Sequence, residues 1–261
     1  MMSQTIRTKG AELVVEEAGM DGPALVFLHY WGGSARTWDP VAARLPARRC
    51  RVLVNQRGWG GSRAMDERYD LEALADDVAA VVGDREIARY VLVGHSMGGK
   101  VAQVLAGRRT RGLAGLVLVA PAPPTPMEVP AEVRAGMLAS YQSREGVLQA
   151  LEVLAGPALG EAEREQVIAD TLRGEAGAKR YWPEQGMLAD VSAALNGVEV
   201  PVEVLVAGED QVEREAVLRP ALSRFLPQAR FTSVPNSGHL IPLEAPEAVA
   251  SSCERMCGAL R

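Results

Sequence analysis

Short, uninterrupted apolar runs recur along this chain with helix-like patterns between them, and that alternation limits the fold more than any other feature. Residues 24–28 (ALVFL), 90–93 (YVLV) and 116–119 (LVLV) are apolar on both sides, as strands buried on two faces must be. Further strands are expected at 51–55 (RVLVN), 202–206 (VEVLV) and 230–234, with two short ones at 5–8 and 12–16 joined at Lys9-Gly10-Ala11. Between them, 35–45, 70–82, 97–106, 213–225 and 246–260 place apolar residues at helical spacing; Leu71, Leu74, Val78, Val81 and Val82 form one such stripe. The expectation is an α/β fold, a mostly parallel eight-stranded sheet with helices on both faces.

The alternation stops at Pro121. The stretch PAPPTPMEVP carries Pro121, Pro123, Pro124, Pro126 and Pro130, which neither a helix nor a central strand can absorb. Only helical signals follow, at 131–143, 144–154, 161–172 and 176–182, until the strand at 202–206 resumes the pattern. The chain therefore divides into a core domain of residues 1–120 and 196–261 and a helical insertion, 121–195.

A net charge of −5, from 28 Lys+Arg against 33 Asp+Glu, leaves no basic excess to neutralise phosphates, which argues against a nucleic-acid partner. The insertion accounts for all of that charge: residues 128–190 hold 11 acidic and six basic side chains. The N-terminus MMSQTIRTKG lacks the apolar core of a secretory signal, and no apolar run is long enough for a membrane span, so a cytoplasmic protein is expected. Three cysteines suit a reducing compartment, and Cys253 and Cys257, four apart on the last helix, are expected to pack rather than to bind metal.

The sharpest local signal is Gly94-His95-Ser96-Met97-Gly98, a G-x-S-x-G set between an expected strand and an expected helix. Small residues on either side allow a tight strand-to-helix turn that presents the Ser96 hydroxyl. A serine hydroxyl needs a base to take its proton, and the chain has three histidines. His95 lies inside the turn and His29 at the end of a buried strand, which leaves His239, in the loop between the last strand and the last helix. The acid that orients it should follow a strand at the same sheet edge; Asp210, in Ala207-Gly208-Glu209-Asp210, does so, with Glu209 as its neighbouring competitor. Two backbone N–H groups must then face a developing oxyanion. Met97 supplies one, and the loop His29-Tyr30-Trp31-Gly32-Gly33 supplies the other through Trp31 or, next to it, Tyr30. The rings of Tyr30, Tyr181 and Trp182 are candidates for the wall of an apolar pocket.

With these elements in place the chain resembles the α/β-hydrolase superfamily along nearly its whole length. The resemblance rests on the HYWGG loop, the GHSMGG elbow, the Gly-Glu-Asp turn, the ending SGHLIPLEAP, and NQRGWGGS at residues 55–62, which is similar to the family's D-x-R-G-x-G-x-S. It implies a lid formed by the inserted helices, Ser96, Asp210 and His239 as catalytic residues, and no metal or organic cofactor. Two positions depart from the family's pattern. Tyr30 stands where a glycine is usual, narrowing the oxyanion loop, and Asn55 stands for an aspartate, read here as structural together with the loop-tying Arg57 and Ser62.

The reading that follows is a serine hydrolase of a small to medium, mostly uncharged carboxylic ester or lactone, working through an acyl-enzyme. Its alternatives are a C–C bond hydrolase of ring-fission products, a cofactor-free haloperoxidase-like enzyme, or a non-catalytic ligand receptor on the same scaffold. The oligomeric state, monomer or homodimer, is left open by the sequence.

Overall fold

The computed structural model describes residues 1–260 and gathers the apolar runs into one nine-stranded sheet. In chain order the strands are β1 (Met2–Arg7), β2 (Ala11–Ala18), β3 (Asp21–Leu28), β4 (Arg49–Val54), β5 (Arg63–Ala64), β6 (Tyr90–His95), β7 (Leu113–Val119), β8 (Val202–Ala207) and β9 (Arg230–Val234). Eight correspond to the expected strands; the ninth, β5, is a two-residue pairing with β2. The order across the sheet is β1-β2-β4-β3-β6-β7-β8-β9. β1, β2 and β4 pair antiparallel, and every pairing from β4 through β3 to β9 is parallel.

The helices are α1 (Asp39–Ala42), α2 (Leu71–Asp84), α3 (Met97–Gly107), α4 (Ala131–Ser140), α5 (Arg144–Leu154), α6 (Glu161–Arg173), α7 (Ala176–Glu184), α8 (Glu215–Ser223), α9 (Ile241–Glu244) and α10 (Pro246–Ala259). None is long and apolar enough to cross a membrane. One expected helix, 35–45, is instead a 3-10 turn, Ala35–Trp38, followed by the single turn α1. Ser34 caps the first by accepting from the Arg36 N–H, and Pro40, lacking an N–H, fits only the opening turn of a new helix. Another, expected at 213–225, begins at Glu215, because the Asp210 carboxylate holds the N–H groups of Val212 and Glu213 in a turn. α4 and α5 are separate because Ser143 accepts from the Gly146 N–H and starts a fresh helix.

Period-two alternation divides the core in two. Leu25 and Phe27 of β3 point to one face, where they meet Trp38, Val41, Ile241 and the α10 residues Val249, Cys253 and Cys257, all buried. Ala24, Val26 and Leu28 point to the other, packed with α2, α3 and α8. The buried residues of α5, α6 and α7, among them Leu151, Val167, Ile168 and Trp182, continue that second cluster. α4 buries no residue of its own.

The strand register carries four loops to one edge. Leu28 is level with Gly94, His95 with Val119, Val119 with Leu205, and Ala207 with Val234, so the loops after β3, β6, β8 and β9 leave the sheet side by side. The strand order reverses between β3 and β6, and ligands of open α/β sheets bind at such a switch point.

The loop after β4 is tied by a buried ion pair. Arg57, 2% exposed, meets Asp77 of α2 through two nitrogens at 2.6 and 2.8 Å, and donates again to Asp66 and to the Arg68 carbonyl. Ser62 donates to the Asn55 carbonyl and accepts from the Val14 N–H, and the Asn55 side chain bridges Ala35 and Val14. Arg57→Ala would leave the Asp77 carboxylate buried without its counter-charge, and should cost about 3–5 kcal/mol of unfolding free energy. Urea unfolding of the two proteins measures it; an unchanged midpoint would mean that solvent reaches Asp77 and replaces the guanidinium.

Candidate active site

Ser96 occupies the single residue between the end of β6 and the start of α3, with φ 52° and ψ −116°. Such a backbone is strained for any residue with a Cβ, and it turns the side chain out from the sheet edge. Glycine is required nearby for lack of room. A Cβ on Gly94 would lie 2.5 Å from the Gly98 carbonyl oxygen, and one on Gly98 would lie 2.4 Å from that of Leu28. The G-x-S-x-G spacing thus lets α3 begin hard against β3 and β6.

The Ser96 Oγ is 2.9 Å from His239 Nε2, and His239 Nδ1 is 2.9 Å from Asp210 Oδ2. All three side chains are buried, Ser96 being 8% exposed and His239 2%. Facing a carboxylate, Nδ1 carries the ring proton, which leaves Nε2 as the acceptor for the serine hydroxyl. Burial pushes the Asp210 carboxyl up, but the neighbouring His239 and the N–H groups of Glu213 and Val212 outweigh it and hold the group below the usual carboxylate range. Glu209 does not compete, since its side chain is exposed while its N–H is bonded to the Ser237 carbonyl.

The other two histidines are buried beneath this arrangement. The His95 ring lies 5.3 Å from that of His239, and its Nε2–H donates to the His239 carbonyl at 2.8 Å. His29 accepts the Gln56 N–H at Nε2, so its proton is on Nδ1, which donates to the Tyr30 carbonyl at 2.8 Å. Burial keeps both neutral, lowering His29 to about 4 and His95 well below the ordinary histidine value. The Tyr30 carbonyl also accepts the Gly33 N–H. In a trans peptide the C=O and the following N–H are antiparallel, so fixing the Tyr30 carbonyl also fixes the direction of the Trp31 N–H. The Met97 N–H, first in α3, is one of the helix-terminal donors without an intrahelical acceptor. One signal in the sequence could have pointed to these supports: each histidine ends or follows a strand at the same sheet edge.

The inserted helices grip the same loop. The Trp31 indole stacks on Tyr141 at 3.8 Å between centroids and donates to the Lys179 carbonyl, while the Tyr141 hydroxyl donates to the Trp31 carbonyl. Thr171 donates to the Gly32 carbonyl, and Asp170 accepts from Ser34 and pairs with Arg36. The three side chains expected to wall a pocket have other neighbours. Tyr30 turns inward onto His95 with ring centroids 5.1 Å apart, and Trp182 is buried against Gly186. Tyr181 accepts the Leu71 N–H at the start of α2 and borders a surface cavity of about 440 Å³ shared with Tyr69, Asp70, Gly177 and Arg180. Tyr181 thus borders a cavity, while Tyr30 meets His95 and Trp182 meets Gly186; the direction of a ring depends on tertiary neighbours that its place in the sequence does not reveal.

A family model described as Alpha/beta hydrolase family matches residues 25–252. Among curated proteins, the chain is 30% identical to a pimeloyl-[acyl-carrier protein] methyl ester esterase of Nitrosomonas europaea, over 92% of this chain and 98% of that one. It is 28% identical to the dihydrolipoyllysine-residue acetyltransferase component of the acetoin cleaving system of Pseudomonas putida, over 90% of this chain but only 63% of that longer relative. Among solved structures, a thermophilic esterase from Thermogutta terrifontis superposes with a TM-score of 0.85 at 25% identity, covering 100% of this chain and 99% of the other.

Proposed function

Because the chain belongs to the alpha/beta hydrolase family, we propose that it is a serine hydrolase that cleaves a small to medium, mostly uncharged carboxylic ester or lactone through an acyl-enzyme. The observation that carries this reading is the unbroken hydrogen-bonded chain from Ser96 Oγ through both ring nitrogens of His239 to Asp210, buried at the sheet edge. The esterase names of its relatives agree with it.

In the proposed reaction Ser96 Oγ attacks the carbonyl carbon as its proton passes to His239 Nε2, and Asp210 steadies the imidazolium. The carbonyl oxygen, now anionic, accepts from the Trp31 and Met97 N–H groups. The tetrahedral intermediate collapses, and the C–O bond breaks as Nε2 returns its proton to the leaving alkoxide. Water then repeats the sequence: its proton goes to Nε2, its oxygen to the acyl carbon, and Ser96 leaves re-protonated with the free acid. In a lactone the alcohol and the acid leave as one molecule. The preference for uncharged acyl groups rests on the insertion's excess of acidic residues and on the neutral state of the supporting histidines. In this reading the inserted helices, residues 121–195, act as a lid.

A fluorophosphonate probe followed by a panel of p-nitrophenyl esters and lactones tests the proposal. Ser96 should carry the phosphonyl group, located by peptide mass, and the neutral esters should turn over. A folded protein left unlabelled at Ser96 would refute the mechanism, and ligand binding with no turnover would favour a receptor.

A further inference from the structure

The base loop is bonded to the insertion through a carboxylate that the mechanism above does not use. Glu244, the last residue of α9, accepts the Gly156 N–H at both carboxylate oxygens, 3.0 and 3.1 Å, and the Gly238 N–H at 2.7 Å. Gly156 follows α5 in the insertion, and Gly238 immediately precedes His239. The two glycine backbones press together: a Cβ on Gly156 would lie 2.3 Å from the Gly238 nitrogen and 2.4 Å from a Glu244 oxygen. Next to this contact the His239 N–H donates to the Leu154 carbonyl at 2.9 Å. The backbone of His239 is therefore held from two directions, its N–H by the end of α5 and its carbonyl by His95.

We propose that Glu244 is a positioning residue that clasps residues 154–156 of the insertion to Gly238, so that the docked insertion sets the distance from His239 Nε2 to Ser96 Oγ. The inference rests on the reading of Ser96 and His239 as nucleophile and base, and adds that the insertion is a structural part of the proton-transfer geometry. A carboxylate accepting two backbone N–H groups, one of them shared between both oxygens, is a charge-assisted junction, stronger than a neutral one. Its position one residue from the base means that a shift of the clasp is passed on to the ring.

The experiment uses the full-length chain with p-nitrophenyl acetate and a fluorophosphonate probe, comparing wild type with Gly156→Ala, Glu244→Gln, their double variant and Gly136→Ala. Gly156 has no left-handed backbone to strain, so alanine there acts only through its methyl group, pushing Gly238 aside by roughly 1 Å; such a displacement of a reacting group costs on the order of 100-fold in rate. Gly156→Ala should lower kcat by about that factor with KM unchanged, and the labelling rate of Ser96 should fall in parallel. Glu244→Gln keeps the shape and removes the charge, and should lower kcat about tenfold. The double variant should lose no more than the worse single one, because both act through one contact. Gly136→Ala, on the exposed α4 where an added Cβ meets nothing within 4 Å, should match wild type. Wild-type kcat and labelling in Gly156→Ala and Glu244→Gln would overturn the proposal, as would a change confined to KM, which would make the contact a matter of pocket shape. If Gly156→Ala does not fold, Glu244→Gln decides on the same readouts. A wild type that neither labels nor turns over would instead bring down the underlying reading of Ser96 and His239.

Discussion

Ser96→Ala should lower kcat on a neutral p-nitrophenyl ester by roughly 10⁶-fold, the scale found when a serine nucleophile is removed elsewhere, and abolish phosphonyl labelling. The variant keeps every backbone contact of the elbow, including the Ser96 N–H to Val119 and the Lys100 N–H to the residue 96 carbonyl. It also keeps a Cβ in the same strained conformation, so folding should be unaffected and the loss can be assigned to the missing hydroxyl. What remains should still exceed the uncatalysed rate by about 10³–10⁴, from the oxyanion donors and substrate binding. A variant that retained even a tenth of wild-type turnover would place the nucleophile elsewhere.

Asp210→Asn should cost about 10⁴-fold in kcat through the tautomer of His239 rather than through any loss of contact. Asp210 Oδ1 accepts the N–H groups of Val212 and Glu213, so the amide oxygen of an asparagine must take that side. Its NH2 then faces His239 Nδ1, which becomes an acceptor and moves the ring proton to Nε2, where it blocks transfer from Ser96. KM should change little. Stability should respond with a defined sign: because the Asp210 carboxyl is held below its ordinary range in the fold, its ionisation stabilises the wild type fully above about pH 4. That contribution is lost as pH falls through the lowered folded-state value. The difference in urea midpoint between wild type and Asp210→Asn should therefore shrink on acidification, and a difference that grew would reverse the sign assigned to Asp210.

Much of the fold was legible because doubly buried strands leave runs such as YVLV and LVLV that no exposed element would tolerate, and because five prolines between Pro121 and Pro130 can end an alternation but not continue it. The meeting of Ser96, Asp210 and His239 was legible for a topological reason: each follows a parallel strand, and parallel strands deliver their C-terminal ends to one edge. Side-chain direction was not. The packing of the Tyr30 ring on His95 and the bond from the Leu71 N–H to the Tyr181 hydroxyl depend on neighbours distant in sequence. The roles of His29 and His95 are little marked in the sequence, because a neutral histidine can serve as a donor to a backbone carbonyl whose direction only the fold sets. The Gly156–Glu244–Gly238 contact left no trace in periodicity, since it joins three loop or helix-end positions whose adjacency exists only once the insertion has folded back on the sheet.

The left-handed φ of 52° at Ser96 has a consequence for descent. Holding a side chain there costs about 1–3 kcal/mol, which a glycine would recover, less the roughly 0.5–1 kcal/mol that glycine gives up through its freer unfolded chain. Ser96→Gly should therefore be inactive yet about 1 kcal/mol more resistant to urea than Ser96→Ala, and equal midpoints would show the turn to be relaxed. Selection for folding alone would push this position away from serine. With Ser96 as the proposed nucleophile, a lineage released from the reaction would gain robustness by the same substitution that silences it, so the serine would persist only where that chemistry is still needed.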